Sequence, residues 1–86
     1  MPDNSEPPIS LQGTYRHSKT GKLYKVIDVA LHTETSEKMV VYRALYRSPD
    51  LEAEYGPDPV FVRPYTMFFE GVVIDGKQVP RFEKIT

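Results

Sequence analysis

Cysteine is absent from this 86-residue chain, so no disulfide and no thiolate metal site can staple it. Histidine is nearly absent, with only His17 and His32. No apolar run approaches the roughly 18 residues of a membrane span. The N-terminus lacks the basic-then-apolar pattern of a leader peptide. A cytoplasmic protein without membrane contact is therefore expected. The net charge of −1 excludes a strongly basic nucleic-acid binder. Glycine is sparse: Gly13 and Gly21 form no phosphate loop, and Thr20-Gly21-Lys22 lacks the rest of a P-loop. No activated nucleophile is evident either, because Ser10, Ser18, Ser36 and Ser48 fall at apparent strand ends or turns, where a hydroxyl satisfies backbone groups. No full catalytic constellation can be named, so the reading leans away from an enzyme and expects no cofactor.

What is present is enough for one small folded domain. The apolar fraction is 40%, with six tyrosines and four phenylalanines, which argues against disorder. A chain of this length buries only about 60–65% of the surface that its unfolded form exposes, so modest stability follows. Residues 1–10, rich in proline and without an aromatic, read as a disordered tail. Residues 11–86 read as a single small β domain.

Turn signals divide that domain. Residues 14–18 read as a short strand, and Lys19-Thr20-Gly21-Lys22 as a turn with glycine at positive φ. Residues 23–34 form a long strand rich in β-branched and aromatic residues, and residues 38–47 return antiparallel. With Thr35-Ser36 as a two-residue loop, Asp28 falls opposite Arg43 and Val29 opposite Tyr42. One face then carries Ile27, Val29, Leu31, Val40, Tyr42 and Ala44 as core. The other mixes Val26, Asp28, Ala30, His32, Met39, Val41 and Arg43. Residues 48–59 read as an acidic, proline-broken loop. Residues 60–63 make a short strand stopped by Pro64, and residues 65–69 a single helical turn. Residues 72–75 and 77–82 flank the hairpin signal Asp75-Gly76, with Pro80 at an edge or bulge. The expected fold is mainly β: a small SH3-like barrel, or a strongly bent antiparallel sheet of about five or six strands, with one helical turn.

The charge layout is asymmetric. Residues 10–27 hold Arg16, Lys19, Lys22 and Lys25 and no acid, while residues 48–62 hold Asp50, Glu52, Glu54 and Asp58 and no base. Two readings fit: a dipolar molecule that steers an anion to one side, or ordinary solvated loops and strand edges. His32-Thr33-Glu34 puts imidazole and carboxylate on one strand face. The tripeptide also opens the zinc deaminase signature, but that signature needs cysteines, and no metal is expected. Arg16, Arg43, Arg63 and Arg81 lie on or beside strands, where a rigid scaffold aims a planar fork at phosphate or carboxylate. Tyr15, Tyr24, Tyr42, Tyr46 and Phe61 offer stacking faces for a base. Against this stands the reading that the tyrosines are core and the arginines pair with Asp28, Glu34, Glu70 and Glu83.

Seven blocks carry a resemblance: Gly13-Thr-Tyr-Arg-His17, Gly21-Lys-Leu-Tyr-Lys-Val26, Ala30-Leu-His-Thr-Glu-Thr35, Val40-Val-Tyr-Arg-Ala-Leu-Tyr46, Val62-Arg-Pro64, Met67-Phe-Phe-Glu70 and Pro80-Arg-Phe-Glu83. Together, and in this order, they resemble the domain of unknown function 1653 family of small, mainly bacterial proteins. The resemblance implies a compact mainly-β domain in a bacterial cytoplasm. It also implies that Tyr15, Arg16, His17, Tyr24, His32, Glu34, Tyr42, Arg63, Pro64, Phe68, Arg81 and Phe82 are characteristic positions. It implies no activity.

The residues then support three functional readings. The first is a non-catalytic module for an anionic ligand, a nucleotide or short single-stranded nucleic acid, drawing on Arg16, His17, His32, Glu34, Tyr42, Arg43, Arg63 and Arg81. The second is a protein-interaction domain that takes an extended peptide. The third is a small hydrolase or isomerase built on His17, His32 and Glu34. The oligomeric state is not legible.

Overall fold

In a computed structural model describing residues 11–86, the fold is built outward from tight turns. Gly21, at φ 76°, closes the first turn, with its N–H on the carbonyl of His17 at 2.7 Å. It joins β1 (Gly13–His17) to β2 (Leu23–His32). Strand β3 (Glu37–Ala44) returns along β2, and β4 (Val60–Pro64) pairs with β3. A short helix, α2 (Tyr65–Phe68), follows at once, and β5 (Gly71–Ile74) and β6 (Lys77–Pro80) form a separate hairpin. Its turn has Asp75 at φ 52° and Gly76 at φ 77°, as an Asp-Gly turn between twisted strands requires. Strand β7 (Phe82–Lys84) then pairs with β1. The main sheet is antiparallel throughout, in the order β4-β3-β2-β1-β7.

The mainly-β class expected from the sequence holds. Strands β4 and β7 do not pair with each other, so among the described residues there is no closed barrel. The sheet is nevertheless strongly bent. Laid flat, its two edges would stand about 19 Å apart, four spacings of about 4.8 Å. Yet the Arg63 guanidinium on β4 lies 5.5 Å from the ring centre of Phe82 on β7, and Tyr42 and Phe82 rings are 5.5 Å apart. Only a sheet curled about its inner face brings these side chains together.

That inner face is the core. Tyr15, Tyr24, Val26, Val40, Tyr42, Ala44 and Phe82 line it, and α2 drops the fully buried Phe68 onto it. No helix among the described residues is long and apolar enough to cross a membrane.

Three local expectations need correction. Residues 48–59 are not all loop: Pro49–Tyr55 is a helix, α1. Its signals are Pro49 at the start, Asp50 and Glu52 in the first turn, and Gly56 at the C-cap with φ 85°. A proline at N1, acids on the positive helix end and a terminal glycine all favour a helix; the proline count hid them.

The β2–β3 register also differs. Val29 faces Val40 and Asp28 faces Val41, two residues from the expected pairing. The connection spans 33–36, with Ser36 at φ 62° and its N–H on the carbonyl of His32. A bulge between Val26 and Asp28 shifts the pairing again, setting Val26 against Tyr42. The extra residue turns β2 over. Val26 therefore enters the core, while Ile27 and Leu31, expected inside, are 38% and 64% exposed. Val40, Tyr42 and Ala44 are buried as expected.

Third, the expected strand over 77–82 is broken at Arg81, whose N–H and carbonyl bond to Glu70 and Ser18 rather than to a neighbouring ladder. Strand β7 can then leave the hairpin and join β1.

Candidate functional site

One end of the curled inner face is an aromatic floor. Tyr24 packs against Tyr42, Tyr46, Phe61 and Phe82, with ring centres 5.3 to 5.8 Å apart. Most of these pairs are edge-to-face, the arrangement that ring quadrupoles prefer. The hydroxyls of Tyr24 and Tyr46 are 2.9 Å apart. Burial, then that hydrogen bond, pushes the Tyr24 hydroxyl well above its ordinary pKa. It is a neutral group at physiological pH.

Three cationic or donor side chains rim this floor. Arg63 donates from Nε to the Tyr42 hydroxyl at 3.3 Å and lies over the Phe82 ring. It makes no ion pair among the described residues. His17 meets the same Phe82 ring edge-on at 4.9 Å. Its Nδ1 accepts the backbone N–H groups of Lys19 and Thr20 at 3.3 and 3.4 Å. In the neutral ring the proton therefore sits on Nε2. Burial lowers the His17 pKa, and Arg63, Arg81 and Lys19 lower it further. Lys22 places its ammonium 4.5 Å from the centre of the Tyr46 ring. The first turn supplies both His17 and Lys22, since the His17 N–H bonds to the Lys22 carbonyl at 2.8 Å. The result is an excess of positive charge and N–H donors at the rim of a largely buried cluster of edge-to-face aromatic rings.

The family model for proteins of unknown function designated DUF1653 matches residues 13–84. The chain belongs to the DUF1653 family. It is also similar to a crystal structure of a DUF1653 protein from Bordetella bronchiseptica. The two share 32% identity over 86% of this chain and 85% of that one, with a TM-score of 0.72. A comparison with curated proteins gives no match. The matched stretch of the DUF1653 model runs from the first residue of β1 to the last of β7, so it includes every strand that builds the aromatic floor and its rim.

Within this DUF1653 domain the sequence-derived candidates divide into three groups. His17, Tyr42 and Arg63 come together as described. Arg81 is close enough to influence His17, but it is held by Glu70, at 2.6 Å, and by the carbonyl of Met67. Arg16 and Arg43 form the second group, on the outer face. Arg16 pairs with Glu83 across the β1–β7 ladder. Arg43 stands opposite Lys25, and its Nε is buried with no hydrogen-bond partner. It lines an outer groove of about 290 Å³ with Gln12, Gly13, Lys25 and Ile27.

His32 and Glu34 are the third group, at the β2–β3 turn, where the Nδ1 of His32 accepts the Glu34 N–H at 3.2 Å. Both are exposed. His17 sits beside Lys22 at the other end of β2, about 33 Å away along an extended strand of ten residues. The grouping of His17 with His32 and Glu34 is therefore corrected: the length of β2 separates them. Tyr46 was expected as a stacking face, whereas Lys22 and Phe82 are members of the site that the sequence-derived ligand set omitted. The signal for Lys22 was the glycine turn that places it beside His17.

Proposed function

We propose that this DUF1653 domain is a non-catalytic cytoplasmic module for an anionic ligand with a flat ring, a nucleotide or a short single-stranded nucleic acid. Arg63 carries the reading. Its guanidinium is aimed by the Tyr42 hydroxyl, laid over Phe82, and left without a carboxylate partner among the described residues. A guanidinium offers phosphate a two-pronged donor. Arg63 and the Nε2–H of His17 hold the anion, and the half-buried Tyr46 takes the base by stacking once the Lys22 ammonium swings from its ring to the phosphate. Base–aromatic stacking is worth about 1–3 kcal/mol per base.

The test is an amide NMR titration of the labelled protein with adenosine monophosphate and short oligothymidylate, at low and physiological salt. The expected shifts cluster at His17, Lys22, Tyr46 and Arg63. Oligonucleotide affinity should fall with salt, with a log–log slope of about −0.7 per phosphate neutralised. No shifts at these residues with either ligand would overturn the reading.

A further inference from the structure

Helix α1 presents a packing problem. It has seven residues and buries none of them, whereas isolated helices shorter than about 12–15 residues are marginal in water. Its start is secured: the Glu52 carboxylate accepts from Arg47 at 2.7 and 2.9 Å and from the Ser48 N–H at 2.9 Å. Its apolar side is not. Leu51 and Tyr55, one turn apart and so neighbours on the helix surface, line an apolar groove of about 380 Å³ whose far wall is Pro59, Val60 and Val62. Tyr55 is 66% exposed and Val62 60%.

The wall of this groove is also a sheet edge. Among the described residues β4 pairs with β3 on one side only. Edge strands are normally blunted by outward charges, bulges or proline. Here Pro64 stands only at the end of the strand, and Arg63 is turned to the inner face. Val60 and Val62 are left on the outside. The electrostatics beside the edge have one sign, because residues 48–62 contain four acids and no base. Glu52 is engaged by Arg47, whereas Asp50, Glu54 and Asp58 form no ion pair among the described residues.

We propose that the β4 edge and the α1 groove together bind an extended segment of another protein, with alternating apolar and basic residues. The segment adds a strand to the main sheet, seats its apolar side chains against Leu51, Tyr55 and Val62, and turns its lysines or arginines to Asp50, Glu54 and Asp58. Strand addition of this kind draws affinity from main-chain hydrogen bonds and specificity from alternate side chains. A second copy is a poorer occupant. Two β4 edges paired about a two-fold axis would bring two acidic α1 helices together, at a cost in like-charge repulsion.

The experiment titrates the labelled full chain with short synthetic peptides of alternating valine and lysine. A valine–glutamate peptide and a proline-interrupted version serve as controls, and sedimentation reports self-association. The valine–lysine peptide alone should shift Leu51, Tyr55 and residues 60–62. Glu54→Gln should weaken it about two- to fivefold, one exposed ion pair's worth. Val62→Lys, at an exposed site that leaves the core intact, should weaken it about tenfold or more by placing a like charge on the edge. Three results would overturn the proposal: no shift with the valine–lysine peptide, an equal response to the glutamate peptide, or self-association of the chain that Val62→Lys abolishes.

Discussion

Phe68 lies flat on Phe82, with ring centres 4.2 Å apart and planes within 4°. One ring belongs to α2 and the other to the edge strand β7, so this stack ties the cover of the sheet to its margin. Phe68 also meets Tyr15 and Tyr42 edge-on at 5.4 and 5.3 Å. Phe68→Ala should therefore cost about 3–5 kcal/mol, transfer and cavity together. That is a large share of the roughly 5–15 kcal/mol available to a domain. Urea unfolding should show a much lower midpoint, with Phe68→Leu falling between the two.

Arg43 should act against stability. It faces Lys25 across the β2–β3 ladder and keeps a buried Nε without an acceptor. Like charges directly opposite are unfavourable in a sheet, and an unsatisfied buried donor costs about 1–3 kcal/mol. Arg43→Leu should raise stability by about 1 kcal/mol or more. A higher urea midpoint with an unchanged slope is the signature.

His17 should titrate below its ordinary value of 6.5, first because it is partly buried, then because Arg63, Arg81 and Lys19 oppose a further positive charge. A base with a lowered folded-state pKa contributes stability that is present above its unfolded pKa and is lost as pH falls through the folded one. The His17 contribution should therefore begin to fall as pH drops below 6.5 and be fully lost only below the lowered folded-state pKa. In Arg63→Ala the imidazole pKa should move back toward 6.5, as read from its ring resonances.

Glu52 should resist acid. The Arg47 guanidinium, then the Ser48 N–H, push its carboxyl down to about 2. Carbon-detected NMR should find it still ionised well below the ordinary carboxylate range. Glu52→Gln should loosen the start of α1, visible as faster amide exchange at Ser48 and over residues 50–52.

How much of this was legible in the sequence depended on the range of the signal. Glycine and Asp-Gly turns are local, and they placed the strands and the β5–β6 hairpin. The bulge after Val26 was not legible, because an extra residue in a strand apolar on both parities leaves no mark on its pattern. That single residue decided whether Val26 or Ile27 joined the core. For the site, His17, Tyr42 and Arg63 were named without any means of knowing that they meet. Arg63 and Phe82 lie on opposite edges of the sheet, and only its curl brings them within reach. Arg16 and Arg43 were drawn into the same set on charge alone, although each adjoins a site residue, His17 or Tyr42, on its strand and so points to the opposite face.

The most direct test of the account is the pKa of the His17 imidazole, measured by NMR with and without adenosine monophosphate, in the wild type and in Arg63→Ala. An anion bound between Arg63 and His17 offsets the positive field that lowers this pKa. The His17 pKa should rise on nucleotide addition in the wild type and respond much more weakly in Arg63→Ala. A His17 pKa that saturating nucleotide leaves unmoved in the wild type would contradict it.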